Sequence, residues 1–215
     1  MSAPPRPSPP VLMHHRPYVA LPDADEIRMR AVDMANRGEY ADALPLCQQV
    51  LVLAQRAHAA APTPQTILDV VVAMWQLGDT KHRLGDLPGA QAVLEQAVAL
   101  AEPPPVGPRH PRLAEVLRNL GRVLRKRGRY DEADATLQRA LTMQEQLLGP
   151  DHDDVSVTLT IMGESCVDQG NYRRAKGLLK RAVAIAELHV VPDQYPEQSC
   201  NALGSLCSMY IHLED

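Results

Sequence analysis

LAEVLRNLGRVLRKRGRYDEADATLQRALTMQEQLLG, residues Leu113 to Gly149, holds two helical patterns joined at Gly128-Arg129-Tyr130, and the chain restates it on either side. Shifted forward by 42 residues, Leu117, Leu120, Gly121, Gly128, Tyr130, Ala133, Leu137 and Ala140 become Leu159, Met162, Gly163, Gly170, Tyr172, Ala175, Leu179 and Ala182. Shifted back by 43, they become Met74, Leu77, Gly78, Gly85, Leu87, Ala90, Leu94 and Ala97. A period of this length marks stacked helix-turn-helix units, none of which can bury its apolar face alone. The expected fold is an all-α solenoid.

Working outward, the helix pairs fall near residues 24–60, 64–102, 113–148 and 155–189, with a terminal helix at 196–213, so that residues 23–215 form the repeat region. Asp23-Ala24-Asp25-Glu26 supplies a cap and a carboxylate for the first helix start. Ile27, Ala31 and Met34 face Ala43, Cys47 and Val50 across the Gly38-Glu39-Tyr40 turn. Thr63-Pro64 reads as an N-cap followed by a first-turn proline. Lys81 stands where Leu124 sets an apolar position, which either weakens this helix or lays the lysine stem over the core. Between units, Val106-Gly-Pro-Arg-His110 aligns with Leu148-Gly-Pro-Asp-His152, and Asp151 or Asp153 is expected to cap the next helix. A lone final helix fits either a capping helix or a fragment of a longer protein. Residues 1–22 form a proline-rich tail: the first twenty contain six prolines and no acid, which favours extended conformations. That tail is either a disordered leader or a segment laid along a surface.

With 215 residues, 45% of them hydrophobic and 22% charged, the chain can bury a core. Its formal net charge of −4 argues against a general nucleic-acid binder. No apolar run reaches the roughly 18 residues of a membrane span, and no signal-peptide core is visible, so a cytoplasmic setting is expected. Cys47, Cys166, Cys200 and Cys207 form no C-x-x-C pair and read as reduced thiols. Catalytic, cofactor and metal sites are not expected. There is no phosphate-binding loop, the glycines at 121 and 128 follow no strand, and Asp151-His152-Asp153-Asp154 aligns with a plain helix-entry loop. Nothing activates a nucleophile, and Tyr40, Tyr130 and Tyr172 recur as turn-packing residues.

Arg118, Arg122, Arg125 and Arg129 recur at i, i+4, i+7 and i+11, a basic stripe opposite Leu117, Leu120 and Leu124. Such a stripe suits an acidic partner, because a guanidinium holds a carboxylate through two parallel hydrogen bonds. The alternative is a surface neutralised from within, for which Glu164 and Asp168 are placed in the next unit.

The small-large pattern, the Leu117-x-Asn119-Leu120-Gly121 helix, Leu44-Pro-Leu-Cys47 and the 42-residue spacing resemble the tetratricopeptide family, with repeats of the kinesin light chain type. The resemblance covers about residues 24–213 and implies a tetratricopeptide solenoid of about four repeats plus a terminal helix. It implies a non-catalytic protein–protein interaction scaffold without cofactor or metal, whose first helices line a concave groove. Carried over by register, Arg28, Trp75, His82, Arg83, Arg118, Arg122, Arg125 and Lys126 line that groove and would meet an acidic peptide segment. The implied alternatives are a permanent subunit of a cytoskeletal or axonemal (ciliary) assembly, and a regulatory repeat domain of a longer signalling protein. Other proteins are the expected partners in each case, with no nucleic acid and no membrane span.

Overall fold

The computed structural model describes residues 22–107, 109–188 and 204–205. The proline-rich tail and most of the expected terminal helix, with Cys200 and Cys207, lie outside the described residues. Eight α-helices run in chain order within them: α1 (Pro22–Asn36), α2 (Tyr40–Ala60), α3 (Pro64–Arg83), α4 (Leu87–Ala101), α5 (Pro111–Lys126), α6 (Tyr130–Leu148), α7 (Asp153–Asp168) and α8 (Tyr172–Leu188). Each consecutive odd and even helix forms an antiparallel pair. The chain is an all-α helical solenoid.

The turn inside every pair is built alike. Its glycine takes a positive φ, 74° at Gly128, a conformation a side chain would strain. Five-residue backbone bonds then close the helix end, from Glu39 N to the Met34 carbonyl, Arg129 N to Leu124 and Asn171 N to Cys166, at 2.9, 3.0 and 2.8 Å. Asp86 N closes the α3 end on the Lys81 carbonyl at 2.9 Å, and the Lys81 ammonium reaches Asp86 at 2.6 Å, so this lysine stays near the core by pairing its head.

Packing inside the α3/α4, α5/α6 and α7/α8 pairs depends on one glycine each. A Cβ on Gly78 would lie 2.7 Å from Leu94 Cγ, one on Gly121 2.5 Å from Leu137 Cγ, and one on Gly163 2.6 Å from a Leu179 methyl. Those leucines are fully buried, each worth about 1.5–3 kcal/mol of apolar burial. Apolar contact continues across pairs: Leu137 and Leu141 of α6 join Val155, Leu159 and Met162 of α7 and Ile185 of α8 in one cluster.

Helix entry corrects two expectations. Helix α1 already begins at Pro22, so Asp23 lies within it and is not its cap. Thr63 caps α3 in a reciprocal capping box with Thr66, but α7 is capped by His152, whose Nδ1 accepts from Asp154 N at 3.1 Å, and not by Asp151 or Asp153. His110 does the same for α5, accepting from Arg112 N at 3.2 Å. Asp153 is the first residue of α7 itself, where its charge still suits the helix N-terminus.

Successive odd helices touch, α3 with α5 and α5 with α7, whereas the even helices show no comparable packing on one another among the described residues. Elements that approach more closely lie inside a curve. The odd helices therefore form the concave layer and the even helices the convex one.

Candidate functional site

On α5, Leu113, Leu117, Leu120 and Leu124 bury one face, and the same helical period turns Arg118, Arg122 and Arg125 toward the flanking odd helices. Each of these arginines meets a carboxylate there. Arg118 reaches Asp154 at 2.5 Å and Arg122 reaches Asp79 of α3 at 2.6 Å. Arg125, only 8% exposed, holds Glu164 at 2.8 Å and Asp168 at 3.1 Å, both on α7. Arg122 also donates to the Asn119 side chain. The middle helix of the layer is thus clamped to both neighbours by charge. Burial lowers the Arg122 pKa, and the adjacent Asp79 opposes that shift.

Arg129 does not belong to this row. The helix stops at Lys126, Gly128 reverses the chain, and Arg129 instead pairs with Glu132 at the start of α6. Of the other expected groove residues, Lys126 is exposed beside Arg125 and lines a cleft of about 300 Å³ with Glu164, Val167, Asp168, Gly204 and Ser205. Ser205 donates to Glu164 at 2.8 Å. Arg83 lies over the Tyr40 ring, 5.8 Å from its centroid, with Asp79 3.8 Å away. Arg28 sits apart from the arginine row, paired with Asp25 of its own helix at 2.5 Å.

Trp75 borders two openings. One, of about 140 Å³, lies between α1 and α3 and is lined by Val32, Ala35, Asn36, Trp75, Gln76 and Asp79 among others. The second lies between Trp75 and Val72 of α3 and Glu115 and Val116 of α5. Four buried side-chain nitrogens find no hydrogen-bond partner among the described residues: Trp75 Nε1, His82 Nδ1, Arg122 Nε and Arg125 Nε. All four belong to residues that register placed in the groove. Three of them are obligate donors, and a buried donor without an acceptor is costly enough that such groups are rare in folded proteins. His82 is held neutral by burial and then by the Arg122 charge, its pKa lowered to about 4.

Sequence reasoning did not name Asp79, Asn36 or Gln76, and it read Asp154 as part of a helix-entry loop and not as the partner of Arg118. Asp79 carried a signal, for it stands 43 residues before Arg122, in the same register as Glu164.

The tetratricopeptide repeat profile matches residues 69–146 and 112–187, together more than half of the chain. The chain belongs to the tetratricopeptide repeat family. Among solved structures, this tetratricopeptide solenoid is similar to BtubC (BKLC) from P. vanneervenii, with a TM-score of 0.73 at 18% identity over 89% of this chain and 73% of that one. It is also similar to kinesin light chain, nearly identical TPR-like repeats of Podosopora anserina, with a TM-score of 0.66 at 18% identity over 88% and 86% of the two chains. The apo form of RapI gives a TM-score of 0.65 at 13% identity, over 89% of this chain and 52% of that one. No curated protein matches. In fold, the repeats are similar to kinesin light chain TPR-like repeats. A tetratricopeptide array is a protein–protein interaction scaffold, a fold that is generally non-enzymatic. Among the described residues no helix is long and apolar enough to cross a membrane.

Proposed function

We propose that the concave layer of α1, α3, α5 and α7 captures an extended, acidic segment of a partner protein. An apolar side chain would seat beside Trp75 in the α1/α3 cleft, and carboxylates would run toward His82, Arg122, Arg125 and Lys126. The observation that carries this reading is the set of buried donors without acceptors, since backbone carbonyls and carboxylates are what such donors require. The existing ion pairs limit the affinity. A ligand must share or displace Asp79, Asp154, Glu164 and Asp168 to reach the arginines, so an affinity strongly dependent on salt is expected.

A peptide-display selection on the full chain tests this, followed by fluorescence titration of the selected peptides. Trp75 is the only tryptophan, so its emission reports directly on the cleft. Selected sequences should be acidic with an apolar anchor, should shift Trp75 emission, and should bind several-fold more weakly to Lys126→Glu, which alters an exposed side chain. Selected peptides without acidic enrichment, or binding that leaves Trp75 emission unchanged, would sink the proposal.

The arginine clamps favour a second reading, a permanent structural subunit of a cytoskeletal assembly, because they leave the concave charge largely neutralised from within. Partners retained through a high-salt wash of the native protein would favour that subunit; partners released by salt would favour reversible capture.

A further inference from the structure

From α4 onward the convex layer is tied together by carboxylates and one amide that an even helix, or its end, offers to the next. Glu102, just past α4, accepts Arg139 of α6 at 2.5 Å, and Gln91 of α4 accepts Arg127 at the turn before α6. On α6, Asp134 accepts Arg174 of α8 at 2.7 Å and Glu145 accepts Arg181 at 2.7 Å. Carried forward one period, the acceptor positions become Lys176 and Glu187. The acceptor shared by Gln91 and Asp134 is replaced by a cation. Arg173 likewise stands where α6 has Asp131.

This change of sign belongs to a wider imbalance. Helix α8 carries Arg173, Arg174, Lys176, Lys180 and Arg181 against one acid, Glu187. Arg174 and Arg181 are engaged with α6, Arg173 and Lys180 are exposed at i and i+7, and Lys176, which has a partner of its own, is exposed between them at i+3, on one face spanning about 10 Å. Among the described residues Arg173 and Lys180 form no ion pair. Between them Gly177 is open: a Cβ there would meet nothing within 4 Å, so a partner can approach the backbone closely.

We infer that the outer face of α8 is a second docking surface, separate from the concave layer, which receives an acidic segment of a partner protein. Charge complementarity selects the occupant, and the span of about 10 Å matches two or three carboxylates along one segment. The surface neither uses Trp75 nor depends on the concave-face reading.

Zero-length carbodiimide coupling of a decaglutamate probe to the full-length protein provides the test. The chain has four lysines, Lys81, Lys126, Lys176 and Lys180, so mass spectrometry of the coupled product assigns the surface directly. Coupling at Lys176 and Lys180 is expected. The exposed double variant Arg173→Glu and Lys180→Glu should bind a fluorescent decaglutamate about tenfold more weakly at low salt, with an unchanged thermal melt and with Trp75 emission unaltered by the probe. Coupling confined to Lys126, or spread evenly over the lysines, overturns the inference. Tighter binding of duplex DNA or phosphatidylserine vesicles, lost in the same variant, also overturns it by assigning the face to phosphate-bearing partners.

Discussion

A methyl group on Gly121 would sit 2.5 Å from Leu137 Cγ, inside contact distance and against a side chain with no room to move. Gly121→Ala gains about 1 kcal/mol of helix propensity but costs about 1–3 kcal/mol in overpacking, so a net loss and a lower melting temperature are expected. Gly177→Ala is the control: its surroundings are open, and calorimetry should find it more stable by about 0.4–1 kcal/mol. Histidines set the pH response. The His82 pKa is lowered to about 4 and the His110 pKa is also lowered, in both cases first by burial, then by nearby arginines. The unfolded chain therefore binds more protons than the folded one below the ordinary histidine pKa of about 6.5. Stability is fully present above that value and falls as pH drops toward 4. Thermal melts at about pH 7.5 and about pH 5 should differ, and His82→Gln should reduce the difference; an unchanged slope would remove His82 from the account. The nested glycines were legible because they recur with the period. The histidine caps were not, since cap preferences rank Ser, Thr, Asp and Asn first, although the recurrence of His110 at His152 was visible in the linkers.

Helix α5 shows how far an element can be read alone. Its two faces follow from helical spacing, and the arginines on one of them were visible in the sequence. Their partners were not fully visible, because Arg118 reaches a residue 36 positions away and Arg125 reaches residues 39 and 43 away, and none of these equals the 42-residue step that relates α5 to α7. The outcome is a clamp whose loss leaves acids facing each other. Arg125→Ala should destabilise the protein by about 1–3 kcal/mol, less than a fully buried pair would cost, because Glu164 and Asp168 remain 32% and 40% exposed. Arg125→Met, which keeps much of the stem packing, should recover part of this loss in urea midpoints. Equal losses in both variants would assign the effect to the removed charge alone.

Across the whole molecule, periodicity made the solenoid legible before any coordinate, because stacked units must repeat their contacts. Curvature was hidden, since it depends on how closely successive helices approach each layer. Apolar clusters run between pairs, so high salt should leave the melting transition single and cooperative. The ion pairs on the two layers have a different mechanical consequence. Those on the concave side, Asp79 with Arg122 and Arg125 with Glu164, stretch when the array straightens. Those on the convex side, Glu102 with Arg139 and Glu145 with Arg181, stretch when it bends further. The two sets act as opposed springs about a shared neutral line, and added salt softens both together. Small-angle scattering at rising ionic strength should therefore show a wider spread of shapes around an unmoved mean, a solenoid made more supple without being uncoiled.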